Sequence, residues 1–211
     1  MIRLLIAAIS FAGLFGIVEY ISKHTALSHE SSRKLVHILA GIMAACLPIF
    51  LSFHQIIYLT SLFVPLLLIS KRANLLTSMH QVSRVTYGEV YFPFAILLVA
   101  LFFPDIPEYE YAVLIMALSD GLASVLGQSF GKRSYVIWAS RKTYIGSLVF
   151  FIVSCLIGAV IVGCLNLASA QVILISSLLA FILTVVEASL AFGLDNLLLP
   201  PLAALLFWSL E

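Results

Sequence analysis

The sequence predicts an all-α fold, a polytopic integral-membrane helical bundle of about seven or eight transmembrane helices with no soluble domain. Three observations carry this. Of the 211 residues, 63% are hydrophobic and 10% charged, with a mean hydropathy of +1.15, whereas a soluble domain keeps about a quarter of its residues charged to face water. The apolar residues run in stretches approaching the roughly 20 that cross a bilayer as a helix. Lys and Arg, finally, are confined to alternate connections between those stretches. No length remains for a second unit, so residues 1–211 form a single transmembrane domain.

The first stretch, 2–21, resembles a signal peptide in having Arg3 near its start and small residues within it. It is assigned as an uncleaved span, because Glu19 lies near its end and polar residues 23–34 follow in place of a small-residue cleavage site. The later stretches are 35–51, 56–70, 90–103, 111–131, 144–165, 172–190 and 197–210, several of them short enough to require tilt or partial insertion. Asp120-Gly121 interrupts the fifth and invites a helix break. His24, His29, His54 and His80 are assigned to loops.

Lys23, Arg33 and Lys34 lie between the first and second stretches, Lys71, Arg72 and Arg84 between the third and fourth, and Lys132, Arg133, Arg141 and Lys142 between the fifth and sixth. The fourth connection is acidic instead, with Asp105, Glu108 and Glu110, and only Arg3 falls on that side. The positive-inside rule then puts the odd connections in the cytoplasm and both termini outside. Even-numbered spans would begin at the cytoplasmic face, where helix N-termini favour anions. Their starts are polar, at Ser31-Ser32-Arg33-Lys34, Tyr87-Gly88-Glu89, Arg141-Lys142-Thr143 and Asp195-Asn196, and Glu19 and Glu187 close spans one and seven on the same side. Such a gathering suits a phosphate-rich, metal-bound ligand.

Net charge of +1 leaves no basic surface for nucleic acid. Cys46, Cys155 and Cys164 sit in apolar runs and form neither a disulfide framework nor a metal motif. Arg33, Lys34 and His37 share one face of a helix, continued by Gly41; Arg and Lys there are also ordinary topology anchors, whereas His37, one turn inside, needs a polar partner. Asp120 stands in an otherwise apolar run, where a carboxylate costs several kcal/mol unless paired, hydrated or metal-bound. Its alternative role is an internal ion pair. Ala123, Gly127 and Gly131 follow at intervals of four, a stripe suited to tight helix packing or to close approach of a phosphate beside Lys132. Glu187 lies inside Thr184-Val-Val-Glu-Ala-Ser, and Asp195-Asn196 follow it.

Some signatures are excluded. Gly127-Gln-Ser-Phe-Gly131 fits the G-x-S-x-G pattern, but no His follows His80, so a serine hydrolase lacks its base. Gly131-Lys132-Arg133 lacks the spacing and hydroxyl of a P-loop, and His29-Glu30 has no second His in register for zinc.

The order of the remaining motifs resembles the integral-membrane, CTP-dependent lipid kinases that include dolichol kinase, phytol kinase and CTP-dependent diacylglycerol kinase. The matching elements are Arg33-Lys-Leu-Val-His37 with Gly41, Tyr87-Gly-Glu89 with Pro93, Asp120-Gly-Leu-Ala123 with Gly127, Gly131 and Lys132, Lys142-Thr143 with Gly146, Glu187, and Gly193-Leu-Asp195-Asn196 with Pro200. One departs: Tyr144-Ile145-Gly146 stands where that family has x-Glu-Gly. The resemblance implies phosphoryl transfer from a cytoplasmic nucleoside triphosphate, CTP, to the hydroxyl of a membrane lipid alcohol, with Mg²⁺. It implies Asp120, His37 and Glu89 as catalytic residues and Asp120, Glu187 and Asp195 as metal ligands. Arg33, Lys34, Ala123, Gly127, Gly131, Lys132, Lys142, Thr143, Gly146 and Asn196 would bind nucleotide, and the span interiors the lipid chain. Two rivals are a phosphatidate cytidylyltransferase and an ion-coupled transporter using Asp120 and Glu187. Against the first, no Lys, Arg or His follows Lys142; against the second, no inverted repeat of the halves is evident.

Overall fold

The structure, a computed structural model, describes residues 1–25, 29–73, 75, 88–138, 140–165 and 167–210. It is a helical bundle in which every stretch expected to span is helix. In chain order these are α1 (Ile2–His24), α2 (His29–Ala45), the short α3 (Leu47–Phe50), α4 (Phe53–Arg72), α5 (Gly88–Phe102) and α6 (Ile106–Leu114). A π-helical turn (Ile115–Asp120) joins α6 to α7 (Gly121–Phe130). A hairpin of β1 (Ser134–Ile137) and β2 (Ser140–Thr143) then leads into α8 (Tyr144–Val162), a 3₁₀ turn, α9 (Ser169–Ser189) and α10 (Asp195–Trp208).

Among the described residues, six helical segments are long and apolar enough to cross a membrane: Ile2–His24, Glu30–Phe50, Phe53–Arg72, Ile106–Phe130, Tyr144–Leu165 and Ser169–Ser189. The two remaining helices, α5 and α10, are shorter, and packing explains them. They lie against each other, α5 also against α4 and α10 against α6, so both are largely enclosed by protein. Prolines 65, 93, 200 and 201 lie within α4, α5 and α10, tolerated because neighbouring helices can satisfy freed backbone groups. Ser52 and Gln55 cap α4 reciprocally: the Ser52 hydroxyl accepts from the Gln55 amide, and the Gln55 side chain accepts from the Ser52 amide.

Small residues set the closest approaches. A Cβ on Gly41 would lie 2.1 Å from the Ala117 Cβ, so α2 and the π-turn meet nearly backbone to backbone. Polar links between helices stay inside the bundle: the Tyr109 hydroxyl donates to the Ala44 carbonyl at 3.0 Å, and the Ser154 hydroxyl to that of Ser119 at 2.9 Å.

Four expectations change. Asp120-Gly121 does not break the helix; the chain stays helical through Gly121 and accommodates the site by widening one turn, in which the His37 ring meets the Met116 carbonyl at 2.8 Å. The connection before α8 is a two-stranded hairpin. Its antiparallel register pairs Ser134 with Thr143 and Ile137 with Ser140. The acidic fourth connection is shorter than expected, because α6 starts at Ile106 and buries Glu108 completely, leaving Asp105 exposed. Of the histidines assigned to loops, His24 and His54 are helical and His29 opens α2, whereas His80 lies outside the described residues, as do Arg84 and Tyr87.

Candidate active site

The polar ends of the bundle surround a cleft of about 840 Å³. Each even-numbered span contributes from its first turns: Arg33 and Lys34 from α2, Tyr91 from α5, Gly146 and Ser147 from α8, Asp195 and Asn196 from α10. The π-turn supplies Asp120, α7 supplies Ala123, Ser124, Gly127 and Gln128, β2 supplies Ser140, Arg141, Lys142 and Thr143, and α9 supplies Glu187. Residues far apart in sequence thus meet because four helices begin where α7 and α9 end.

At its centre are three carboxylates, Asp120, Glu187 and Asp195, each offering an oxygen within 4.8 Å of the others. Asp120 and Glu187 are buried. Like charges so close repel, and cations reach in from two sides. Lys142 donates to Glu187 and sits 3.5 Å from Asp195, while Asp120 lies 3.8 Å from the Lys34 ammonium and 3.5 Å from His37 Nε2. Burial opposes the charge on Lys142, but Glu187, Asp195 and Asp120 outweigh it and push its pKa above the ordinary lysine value. Asp120 is therefore an ion-pair partner as well as a carboxylate facing the cleft. His37 Nε2 donates to the Met116 carbonyl, and its ring packs edge-on against Phe92 with centroids 5.0 Å apart.

The stripe of small residues on α7 packs, and it also shapes the cleft. A Cβ on Gly127 would come within 2.7 Å of the Thr143 hydroxyl, and one on Gly146 within 3.1 Å of the Ala123 carbonyl. Thr143 ties the junction, accepting from the Gly146 amide at 3.0 Å to cap α8 and donating to the Gly127 carbonyl at 3.4 Å. Gly131 packs behind this junction, where a Cβ would meet the Thr143 side chain at 2.7 Å, and it does not line the cleft. Lys132 is exposed and away from the cleft as well. Glu89 is separate too: it pairs with Lys71 at 2.5 Å and, with His37, borders an apolar slot on the other side of Arg33 and Asn196.

What sequence reasoning missed in this connection is the hairpin itself. The consecutive β-forming residues Tyr135, Val136, Ile137 and Trp138 were its available signal. By register it sets Lys142 opposite Tyr135, whose hydroxyl bonds the Ser147 hydroxyl, and so presents Arg141, Lys142 and Thr143 to the cleft as a strand. Ser124 and Gln128, hydrogen-bonded at 3.2 Å, follow Ala123 and Gly127 by one residue each and face the same space. Between α9 and α10, Phe192 and Gly193 adopt φ of 58° and 84°; glycine takes this at no steric cost, and the tight turn returns Asp195 beside Glu187.

No family model and no solved structure matches the chain. Two curated proteins are similar to it. Phytol kinase of Synechocystis sp. is 31% identical over 144 residues, 67% of this chain and 62% of that protein. Phytol kinase 1, chloroplastic, of Arabidopsis thaliana is 30% identical over 149 residues, 64% of this chain and 48% of that protein. The chain thus spans less than two thirds of the length of either relative.

Proposed function

On the premise that the chain is a homologue of phytol kinases, we propose that residues 1–211 form one transmembrane lipid-kinase domain that phosphorylates the hydroxyl of a membrane lipid alcohol, a polyprenol, phytol-like isoprenoid alcohol or diacylglycerol, using CTP. The observation that carries this is the cleft in which three carboxylates and the ammonium groups of Lys34 and Lys142 gather at the ends of apolar helices. Phosphoryl transfer asks a protein chiefly for positioning and charge neutralisation, and this set provides both.

In the reaction the alcohol oxygen forms a bond to the γ-phosphorus as the bond to the β,γ-bridging oxygen breaks, and the nucleoside diphosphate leaves. Asp120 takes the hydroxyl proton. Arg33, Lys34, Arg141 and Lys142 hold the phosphates by charge-assisted hydrogen bonds. Ala123, Gly127 and Gly146, packed closely against one another and Thr143, form with Asn196 the wall against which a phosphate lies. His37 and Glu89 act from the lipid side, whereas Gly131 and Lys132 support the hairpin and its junction.

The carboxylates also suit Mg²⁺, which takes hard oxygen ligands: Asp120, Glu187 and Asp195 crowd closely enough that Lys142 serves as their cation. Those three would hold the ion, which when bound supplies neutralisation of charge on the transferring phosphate. Placing the cleft on the cytoplasmic side, with both termini outside, follows the one-sided Lys and Arg distribution.

The test is incubation of the purified full chain with CTP or ATP, Mg²⁺ and a panel of lipid alcohols, with products identified by mass. A lipid phosphate with the nucleoside diphosphate is expected, CTP supporting the faster reaction. A CDP-lipid with pyrophosphate, or no covalent change with any alcohol, overturns the proposal.

A further inference from the structure

We propose that the apolar slot between α1, α2, α4 and α5 seats the hydrocarbon chain of a long-chain primary alcohol and delivers its hydroxyl through the wall formed by Arg33 and Asn196. This deepens the kinase reading above and rests on it. The slot is lined by Phe11 and Phe15 of α1, Ala40 and Ala44 of α2, Phe63 of α4 and Ile96 of α5. Its polar side chains gather at one end, at Arg33, His37, Glu89 and Asn196; Thr60, along its length, spends its hydroxyl on the Ile56 carbonyl at 2.8 Å.

Two features of that end point to a hydroxyl. Arg33 and Asn196 line both the slot and the carboxylate cleft, so the polar end of one adjoins the other. Both residues are more than nine-tenths buried, and among the described residues Arg33 Nε and Asn196 Oδ1 have no hydrogen-bond partner. A buried donor and acceptor left open cost free energy. A primary alcohol, which both donates and accepts, satisfies the pair, and its chain then points away among phenylalanines and alanines.

The slot's size identifies what must move. Its cavity is about 60 Å³, too little for a long chain in this arrangement. Its outer wall is α1, of whose 23 residues Phe11, Phe15 and Val18 are buried, and the first two face the slot. Val18 and the partly buried Leu4, Ala7, Ala8 and Leu14 also pack α1 on the core, so the slot opens toward lipid by outward displacement of this helix against those contacts.

The test uses the full chain in detergent micelles and a long-chain primary alcohol bearing a diazirine near its ω end. Irradiation is expected to label α1 and α4 peptides containing Phe11, Phe15 or Phe63, with labelling competed by phytol; competed labelling confined to α8 or α9 overturns the assignment. In parallel, Ala44→Phe, which fills the slot, is expected to raise KM for the long alcohol by at least about tenfold, the discrimination apolar pockets achieve for small mismatches, with KM for nucleotide unchanged. Phe63→Ala, which widens it, shifts preference toward bulkier chains. Unchanged chain selectivity in both variants, with parental activity intact, overturns the slot but leaves the kinase. Labelling of the slot in a protein that phosphorylates no alcohol overturns the kinase reading instead.

Discussion

Replacing Asp120 with Asn removes a charge while keeping the shape, and the structure sets what each loss is worth. Asp120 lies 3.8 Å from the Lys34 ammonium and 3.5 Å from His37, and Lys34 is only 7% exposed. At an effective dielectric near 20, unit charges at that separation attract by about 4 kcal/mol. Relief of the carboxylate's own desolvation offsets part of this, so Asp120→Asn is expected to cost about 1–3 kcal/mol of stability, chiefly through the stranded lysine. Turnover should fall by about a hundredfold or more, as for loss of a positioned base. Lys34→Met in the same background removes the stranded cation and should return stability to within about 1 kcal/mol of the parent, without restoring turnover. Thermal unfolding and product formation, measured on the same preparations of all four proteins of the cycle, decide it. An Asp120→Asn protein that is less stable yet turns over near the parental rate would falsify the assignment of Asp120 to chemistry. Failure of the double variant to recover stability would refute the ion pair.

Lys142→Gln should weaken nucleotide binding by about tenfold or more, because a charge-assisted contact is lost. The folded pKa of Lys142 lies above its ordinary value of 10.5, so its stabilising contribution is complete below about pH 10.5 and is lost as pH rises through the higher folded value. Calorimetric titration with nucleotide should therefore show no Lys142-dependent inflection between about pH 6 and 9; one present in the parent and absent in the variant contradicts the electrostatics. For orientation, single cysteines at the exposed positions Asp105 and Arg133, in a background lacking Cys46, Cys155 and Cys164, should react with an impermeant reagent from outside and from the cytoplasm, respectively. The reverse pattern would sink the proposed sidedness.

Helix positions were legible because the apolar runs are long and the turns between them polar, which is the strongest pattern a bilayer imposes on a sequence. Asp120 and Glu187 stood out as acids in apolar surroundings, and the motif order tied them to Asp195. What sequence could not convey was depth and direction. Glu89 follows Gly88 in a shared motif, yet it pairs with Lys71 and borders the slot. Lys132 and Lys142 were equivalent as basic residues of one connection. The hairpin separates them, leaving the first exposed and carrying the second to Glu187. Nor did Ala123, Gly127 and Gly131 choose between packing and ligand approach. Their contacts with Thr143 and Gly146 divide the stripe, with the first two residues bordering the cleft and Gly131 behind it.

The widened turn at Ile115–Asp120 works as a phase shift between two stretches of one rod. An extra residue in a turn advances everything after it by about 100° around the helix axis. The half before the turn keeps Tyr109 and Tyr111 directed into the bundle, and the half after it keeps Ala123 and Gly127 against α8. In an uninterrupted α-helix those two halves would be locked to a single angular setting. The turn lets packing on one side and ligand contacts on the other be set independently, and within it the Met116 carbonyl accepts from His37 Nε2.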